Sequence, residues 1–154
     1  MKKKILHVVG GNFYNGAFQG ARILHDELIS QGIKSKILND NNLNKKDIDQ
    51  NIVYINDSLF SKIKQKFFIT IEKILKFIFL HSPRGTFTLG ILGNDITKTK
   101  AFKDADIIHI HWLSQGFINL NSLSKIEKPI IWTMRDMWAF SGGSHYTMDF
   151  KNYE

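Results

Sequence analysis

Residues 4–37 alternate in a way that leaves few folds open. Lys4 to Val9 is a short apolar run, followed by a loop holding Gly10, Gly11, Asn12, Gly16 and Gly20. Ala17, Ala21, Leu24 and Leu28 then recur at i, i+4, i+7 and i+11, one face of a helix reaching about Gln31. Gly32 is a natural helix stop. Beyond it Ile33, Ser35 and Ile37 alternate with Lys34 and Lys36, as in a strand. A strand, a helix and a second strand in such short compass form a crossover unit. Such units join parallel strands with a right-handed connection.

The alternation continues. Ile52 to Ile55 is a short third strand, Ser61 to Leu80 a helix that Ser82-Pro83-Arg84-Gly85 ends, and Asp106 to Trp112 a strand. Asn39 to Asn44 is a polar loop, Ser122 to Glu127 belongs to a short helix, and Pro129 to Thr133 is expected as a buried last strand. The expected class is α/β, a doubly wound parallel sheet. At 154 residues, 43% apolar and 23% charged, the chain has material for one globular domain. It has no cysteine, so no disulfide framework and no thiolate metal site, which fits a reducing compartment. The basic lead-in Met1 to Lys4 precedes an apolar core too short for a signal peptide, and His7 interrupts it. No segment reaches the ~20 apolar residues that span a bilayer. The expected location is cytoplasmic, with peripheral attachment to the inner membrane.

Net charge is +7, and six basic residues against the single acid Glu72 put +5 of it between Ser61 and Arg84. On the helix, Ile63, Phe67, Ile71, Ile74, Leu75 and Ile78 share a broad apolar face. Lys62, Lys66, Lys73 and Lys76 lie opposite, and Lys64 breaks the pattern. The expectation is that this face packs on the sheet and, being wider than that contact needs, also meets an anionic membrane surface. Nucleic acid is disfavoured, because the lysines sit on one helix without an aromatic stacking platform.

The densest chemistry follows the last strand, in Thr133-Met134-Arg135-Asp136-Met137-Trp138-Ala139-Phe140-Ser141-Gly142-Gly143-Ser144-His145-Tyr146. Ligands of open α/β sheets bind where strands end at their carboxyl edge. Arg135 offers a permanent charge and a bidentate fork for phosphate or carboxylate. Asp136 has three readings: an acceptor for a sugar hydroxyl, a base, or a partner that organises Arg135. Trp138, Phe140 and Tyr146 either stack on a sugar or fill the core, and His145 is a candidate polar contact or, at most, a proton shuttle. His109 and His111 point to one side of their strand. No third ligand is evident beside them, so metal is disfavoured; His109 reads as an interior histidine, and His111 with Trp112 as ligand contacts at the strand end. The glycine loop either cradles a phosphate at the helix start or makes a tight turn. Its spacing is neither G-x-G-x-x-G nor a P-loop, and the only acid near the second strand's end is Asp40, so a dinucleotide site is disfavoured.

Four stretches resemble the N-terminal half of GT-B fold, family-4-type glycosyltransferases, of the kind found in colanic-acid and O-antigen clusters. They are Ile5-Leu6-His7-Val8 with its glycine loop and Ala21-Arg22-Ile23-Leu24-His25; Pro83 to Gly90; Ala105 to Trp112; and Trp132 to Tyr146. The resemblance implies a Rossmann-like acceptor-side domain spanning 1–154. It also implies a retaining, metal-independent transfer, without cofactor, from a nucleotide sugar to a glycan or lipid-linked acceptor in surface polysaccharide assembly. In it Arg135 and Asp136 are the catalytic candidates. Gly11, Gly16 and Gly20 form the donor-phosphate loop, and His111, Trp112, Trp138 and His145 the acceptor and sugar site. Many such enzymes carry His where Arg135 stands, and an arginine there shifts the role towards stabilising the leaving diphosphate. Members of the subgroup often carry cysteines where Ser144 and Phe150 stand here. The donor pocket and its paired-glutamate motif belong to a C-terminal domain that these residues do not include, so the chain alone is expected to be incomplete and close to inactive. The alternative reading is an inactive glycan- or membrane-surface-binding remnant.

Overall fold

A computed structural model describes residues 2–40, 49–55, 58–80, 87–113, 116–141 and 143–146. The chain is α/β with a Rossmann-like architecture. Five strands, β1 (Lys4–Val9), β2 (Lys34–Asn39), β3 (Ile52–Tyr54), β4 (Ile107–Trp112) and β5 (Ile130–Trp132), form one sheet in the order β3-β2-β1-β4-β5, every pairing parallel. The helices are α1 (Gly16–Ser30), α2 (Leu59–Leu80), α3 (Lys100–Asp104), α4 (Leu120–Ser124) and α5 (Trp138–Ser141). A turn of 3-10 helix, Ile96–Lys98, precedes α3. The helix stop expected at Ser82 to Gly85, residues 41–44 of the polar loop, Gly142 and Phe150 lie outside the described residues.

Local chemistry sets the element ends. Gly32 takes φ +71°, its N–H bonds to the carbonyl of Ile29 (2.8 Å), and Ile33 N–H reaches back to Leu28 (2.9 Å). This paired closure is open to a glycine at no steric cost. Thr99 caps α3 by accepting from Phe102 N, and Asn119 caps α4 by accepting from Ser122 N.

Period-two alternation divides the core between the sheet's faces. Leu6 and Val8 of β1 with Ile108 and Ile110 of β4 pack with Phe102, Phe117 and Trp138 on one side. On the other, Val9, Phe18, Ala21, Ile37 and Ile52 pack beneath α1. That second face also carries His7, His109 and His111.

Two expectations need correction. β5 is not buried: Ile130 and Ile131 are 44% and 49% exposed. It has three residues and pairs only with β4 among the described residues, so its outer edge has no neighbour. The apolar face of α2 is not packed on the sheet either. Ile63, Phe67, Ile74 and Ile78 are exposed, with Leu59, Phe60 and Phe77 beside them. The inward side is half-buried and mixed, with Phe68, Ile69, Ile71 and Leu75 beside two polar anchors: Gln65 Nε2 donates to Asp40 Oδ2 (2.8 Å), and buried Glu72 accepts from Gly90 N (3.2 Å).

Candidate functional site at the carboxyl edge of the sheet

The β1–α1 loop leaves the sheet at Gly10, whose N–H bonds to the carbonyl of Trp112 (2.7 Å). Gly11 follows at φ +85°, where a Cβ would stand 2.8 Å from the Trp112 ring, so both the conformation and the close approach require glycine. Asp40 Oδ1 accepts from Gly11 N (2.7 Å), and Asn39 Nδ2 donates to the carbonyls of Val9 (2.7 Å) and Gly11 (3.1 Å). Asp40 is therefore committed to holding the glycine loop. Gly16 begins α1, with nothing within 4 Å of where its Cβ would be. Gly20 lies one turn further on, under Arg135: a Cβ there would come within 2.4–2.7 Å of the guanidinium. Helix α1 and the loop after β5, remote in sequence, thus meet through a glycine that makes room for an arginine.

Among the described residues no ion pair joins Asp136 to Arg135. The Asp136 carboxylate accepts from Trp112 Nε1 (2.6 Å), Trp138 N (3.0 Å) and His145 Nδ1 (2.5 Å). With Nδ1 donating, His145 Nε2 accepts from the Thr88 hydroxyl (2.9 Å), and the Trp138 indole donates to the Thr88 carbonyl (2.7 Å). Carboxylate, imidazole and hydroxyl in series have the connectivity that activates nucleophiles. Thr88 and His145 are only 2% and 1% exposed, however, so the relay works here as a brace. It ties the 133–146 loop to β4 and to the segment at Thr88, with Thr88 N bonded to the Gly143 carbonyl and Ser141 Oγ to that of Ser144. Trp138 stacks on His145 and packs at an angle to Trp132.

Beneath Arg135 lies a histidine cluster. His7 and His109 are in register on neighbouring strands, and His109 and His111 rings stack at 4.1 Å. His7 Nδ1 and His111 Nε2 share a hydrogen bond of 3.0 Å, and His109 Nε2 meets Thr133 Oγ1 at 2.8 Å. His25 of α1 adds a fourth buried ring, bonded to Ser35 Oγ at 2.7 Å. Burial, with the charges of neighbouring His109 and His25, pushes His7 down to about 3. Burial, with His109, His7 and Arg135, does the same to His111. His109 is also lowered, by burial and then by Arg135. All three are neutral at physiological pH.

Those three histidines supply the group that the sequence lacked, with one ring nitrogen from each within 4.8 Å of the others. Nitrogen ligands suit zinc. The cluster has no carboxylate, however, its closest pair is already hydrogen-bonded, and the fixed charge of Arg135 stands beside it. These features disfavour a cation. In a second group, His25, Asp26 and Asp49, the Arg22 guanidinium already occupies the carboxylates, at 3.0 Å from Asp26 and 3.2 Å from Asp49.

The expected site residues thus converge on one edge but differ in access. Arg135 is exposed and Trp112 half-buried, whereas His111, Trp138 and His145 are buried. Sequence reasoning missed His7 and Thr88. The signal for His7 was the alternation of β1, which puts it on the face opposite Leu6 and Val8. Nothing local marks Thr88. A cavity of about 520 Å³ opens at the opposite, amino edge, rimmed by Lys4, Lys34 and Lys36. The loop groups with chemistry gather at the carboxyl edge, where ligands of this architecture bind. Comparison with family models, curated proteins and solved structures found no match to this chain.

Proposed function

We propose that this chain is the acceptor-side domain of a GT-B type glycosyltransferase. It handles a nucleotide-activated sugar and a glycan or lipid-linked acceptor at the carboxyl edge of its sheet, in surface polysaccharide assembly. The observation that carries this reading is the seat of exposed Arg135, its guanidinium laid on Gly20 in the second turn of α1, beside a cluster of neutral histidines. The start of a helix and a permanent cation together favour a phosphate-bearing ligand. Further support comes from the sequence resemblance, whose strongest stretches supply β4 and the braced loop.

In this reading Arg135 contacts the diphosphate and stabilises charge as it leaves. Trp112 offers an indole face to the sugar. Asp136, with three donors already on it, sets the loop's shape, and Trp138, His145 and His111 support the surface that Arg135 and Trp112 present. The backbone of the Gly11–Gly16 loop lines the phosphate path. Transfer needs no metal or cofactor from these residues, and a donor-binding domain completes the cleft.

The test is sugar transfer to a lipid diphosphate from a panel of nucleotide sugars, by the 154-residue chain with and without the donor-binding half of a related two-domain enzyme. Turnover in the mixture, with kcat lowered about 100-fold or more by Arg135→Ala, is expected. Arg135→Ala activity equal to wild type would remove Arg135 from the mechanism. If neither the chain nor any mixture transfers sugar, the remnant reading takes its place.

A further inference from the structure

Helix α2 has its apolar side facing away from the protein. Phe60, Ile63, Phe67, Ile74, Phe77 and Ile78 are between 53% and 76% exposed. At about 100° per residue they fall in one arc of about 100°. The opposite arc holds Gln65, Phe68, Ile69, Glu72 and Leu75, all buried or half-buried. Gln65 bonds Asp40, Glu72 bonds Gly90, and Phe68 and Ile69 close on Gly116. The helix is therefore held by one side and offers the other to its surroundings. A contiguous apolar stripe of this size, rimmed by polar groups, marks an interaction surface.

Charge narrows the occupant. Lys62, Lys66 and Lys73 flank the stripe on one side and Lys64 on the other, while the helix's only acid, Glu72, is buried on the held side. A second copy packed stripe to stripe would bring lysines against lysines with no exposed acid on the helix to pair them. No described helix is long and apolar enough to cross a membrane. An apolar stripe between lysines, on a helix lying in the plane, is the arrangement that seats at an anionic bilayer: rings and branched chains enter the acyl boundary, and ammonium groups stay among the headgroups.

We infer that α2 docks this protein on an anionic lipid surface through the Phe60–Ile78 stripe. The geometry of α2 alone supports this, and it does not rest on the glycosyl-transfer reading.

The chain lacks cysteine, so a single introduced one takes a probe cleanly. Ile74→Cys carrying an environment-sensitive fluorophore would be mixed with vesicles of phosphatidylcholine alone or with phosphatidylglycerol. Lys103→Cys on α3 serves as the control. The expected result is a blue shift at position 74 and none at 103. Binding should be at least about tenfold tighter to the anionic vesicles and weaken with salt. Co-sedimentation should be lost in the Phe67→Glu, Ile74→Glu double variant, with its circular dichroism unchanged because both side chains are exposed. Absence of vesicle binding, binding without a response at 74, or full binding by the double variant would overturn the inference. So would a lipid-independent dimer that the double variant abolishes, which would give the stripe to a second copy.

Discussion

At the scale of single residues, Gly20 and Arg135 let stability be tested apart from the proposed activity. Replacing Gly20 by alanine removes a helix-interior glycine, which by itself stabilises by about 0.5–1 kcal/mol. The new Cβ would stand 2.4 Å from the guanidinium, whose flexible end must move. Gly20→Ala is expected to keep or raise the melting temperature and, under the proposed function, to depress sugar transfer by the chain combined with a donor-binding half. Equal transfer would mean that the seat of Arg135 does not matter. Buried titrating groups give a second prediction. Glu72 is pushed up to about 7 by burial, against the opposing effect of the Gly90 N–H, and its Oε2 has no partner among the described residues. A raised carboxyl favours folding below its unfolded value of 4.5, and this contribution is lost as pH rises towards 7. Urea unfolding should find Glu72→Gln more stable than wild type at pH 8, by about 1–3 kcal/mol, and nearly equal at pH 4.5. The histidines act in the opposite sense. His7 and His111, lowered to about 3, contribute stability that is complete above 6.5 and lost as pH falls towards 3. Loss of stability below pH 6.5 should be less steep in His7→Asn, and an unchanged slope would contradict the neutral cluster. Of these residues, Arg135 and the glycines stood out in the sequence by type. The seat of one upon the other did not, because 115 positions separate them and only the fold brings them together.

At the scale of elements, Asp136 ties the segment after β5 together by gathering three donors. Asp136→Asn keeps the size but weakens the bonds to His145 and Trp112, charge-assisted hydrogen bonds being the stronger kind. Hydrogen exchange should speed up at Trp138 N, which donates to Asp136, and at Thr88 N, while β1 and β2 stay protected. Uniform acceleration would mean global destabilisation instead. Strands and helices were largely legible from period: β1, α1, β2 and β4 fall where alternation or the i, i+4, i+7 pattern puts them. What period cannot tell is which way a face points. Helix α2 has the expected amphipathicity, but polar Gln65 and Glu72 find partners in Asp40 and Gly90, and the apolar arc is left outside. The apolar run before Thr133 was likewise legible as a strand. Its burial was not, because that depends on neighbours the sequence does not order.

At the scale of the whole molecule, parallel pairing sends every strand's carboxyl end to one edge. That edge collects the β1–α1 glycine loop, Trp112 and the 133–146 loop. This follows from topology and was legible as soon as strands and helices alternated. The same topology puts His7, His109 and His111 together on the α1 face. The first of these was missed because His7, remote in sequence from His109 and His111, becomes their neighbour only when β1 pairs with β4. The central claim is that this edge binds a phosphate-bearing sugar ligand through Arg135. Its most direct measurement is a titration by nuclear magnetic resonance, following the amides of Gly11, Gly16 and Gly20 and the ring protons of His109 and His111 while nucleotide sugars and a short lipid diphosphate are added. Saturable shifts confined to those groups, and abolished in Arg135→Ala, are predicted. Shifts absent from this edge, or unchanged without Arg135, would contradict it.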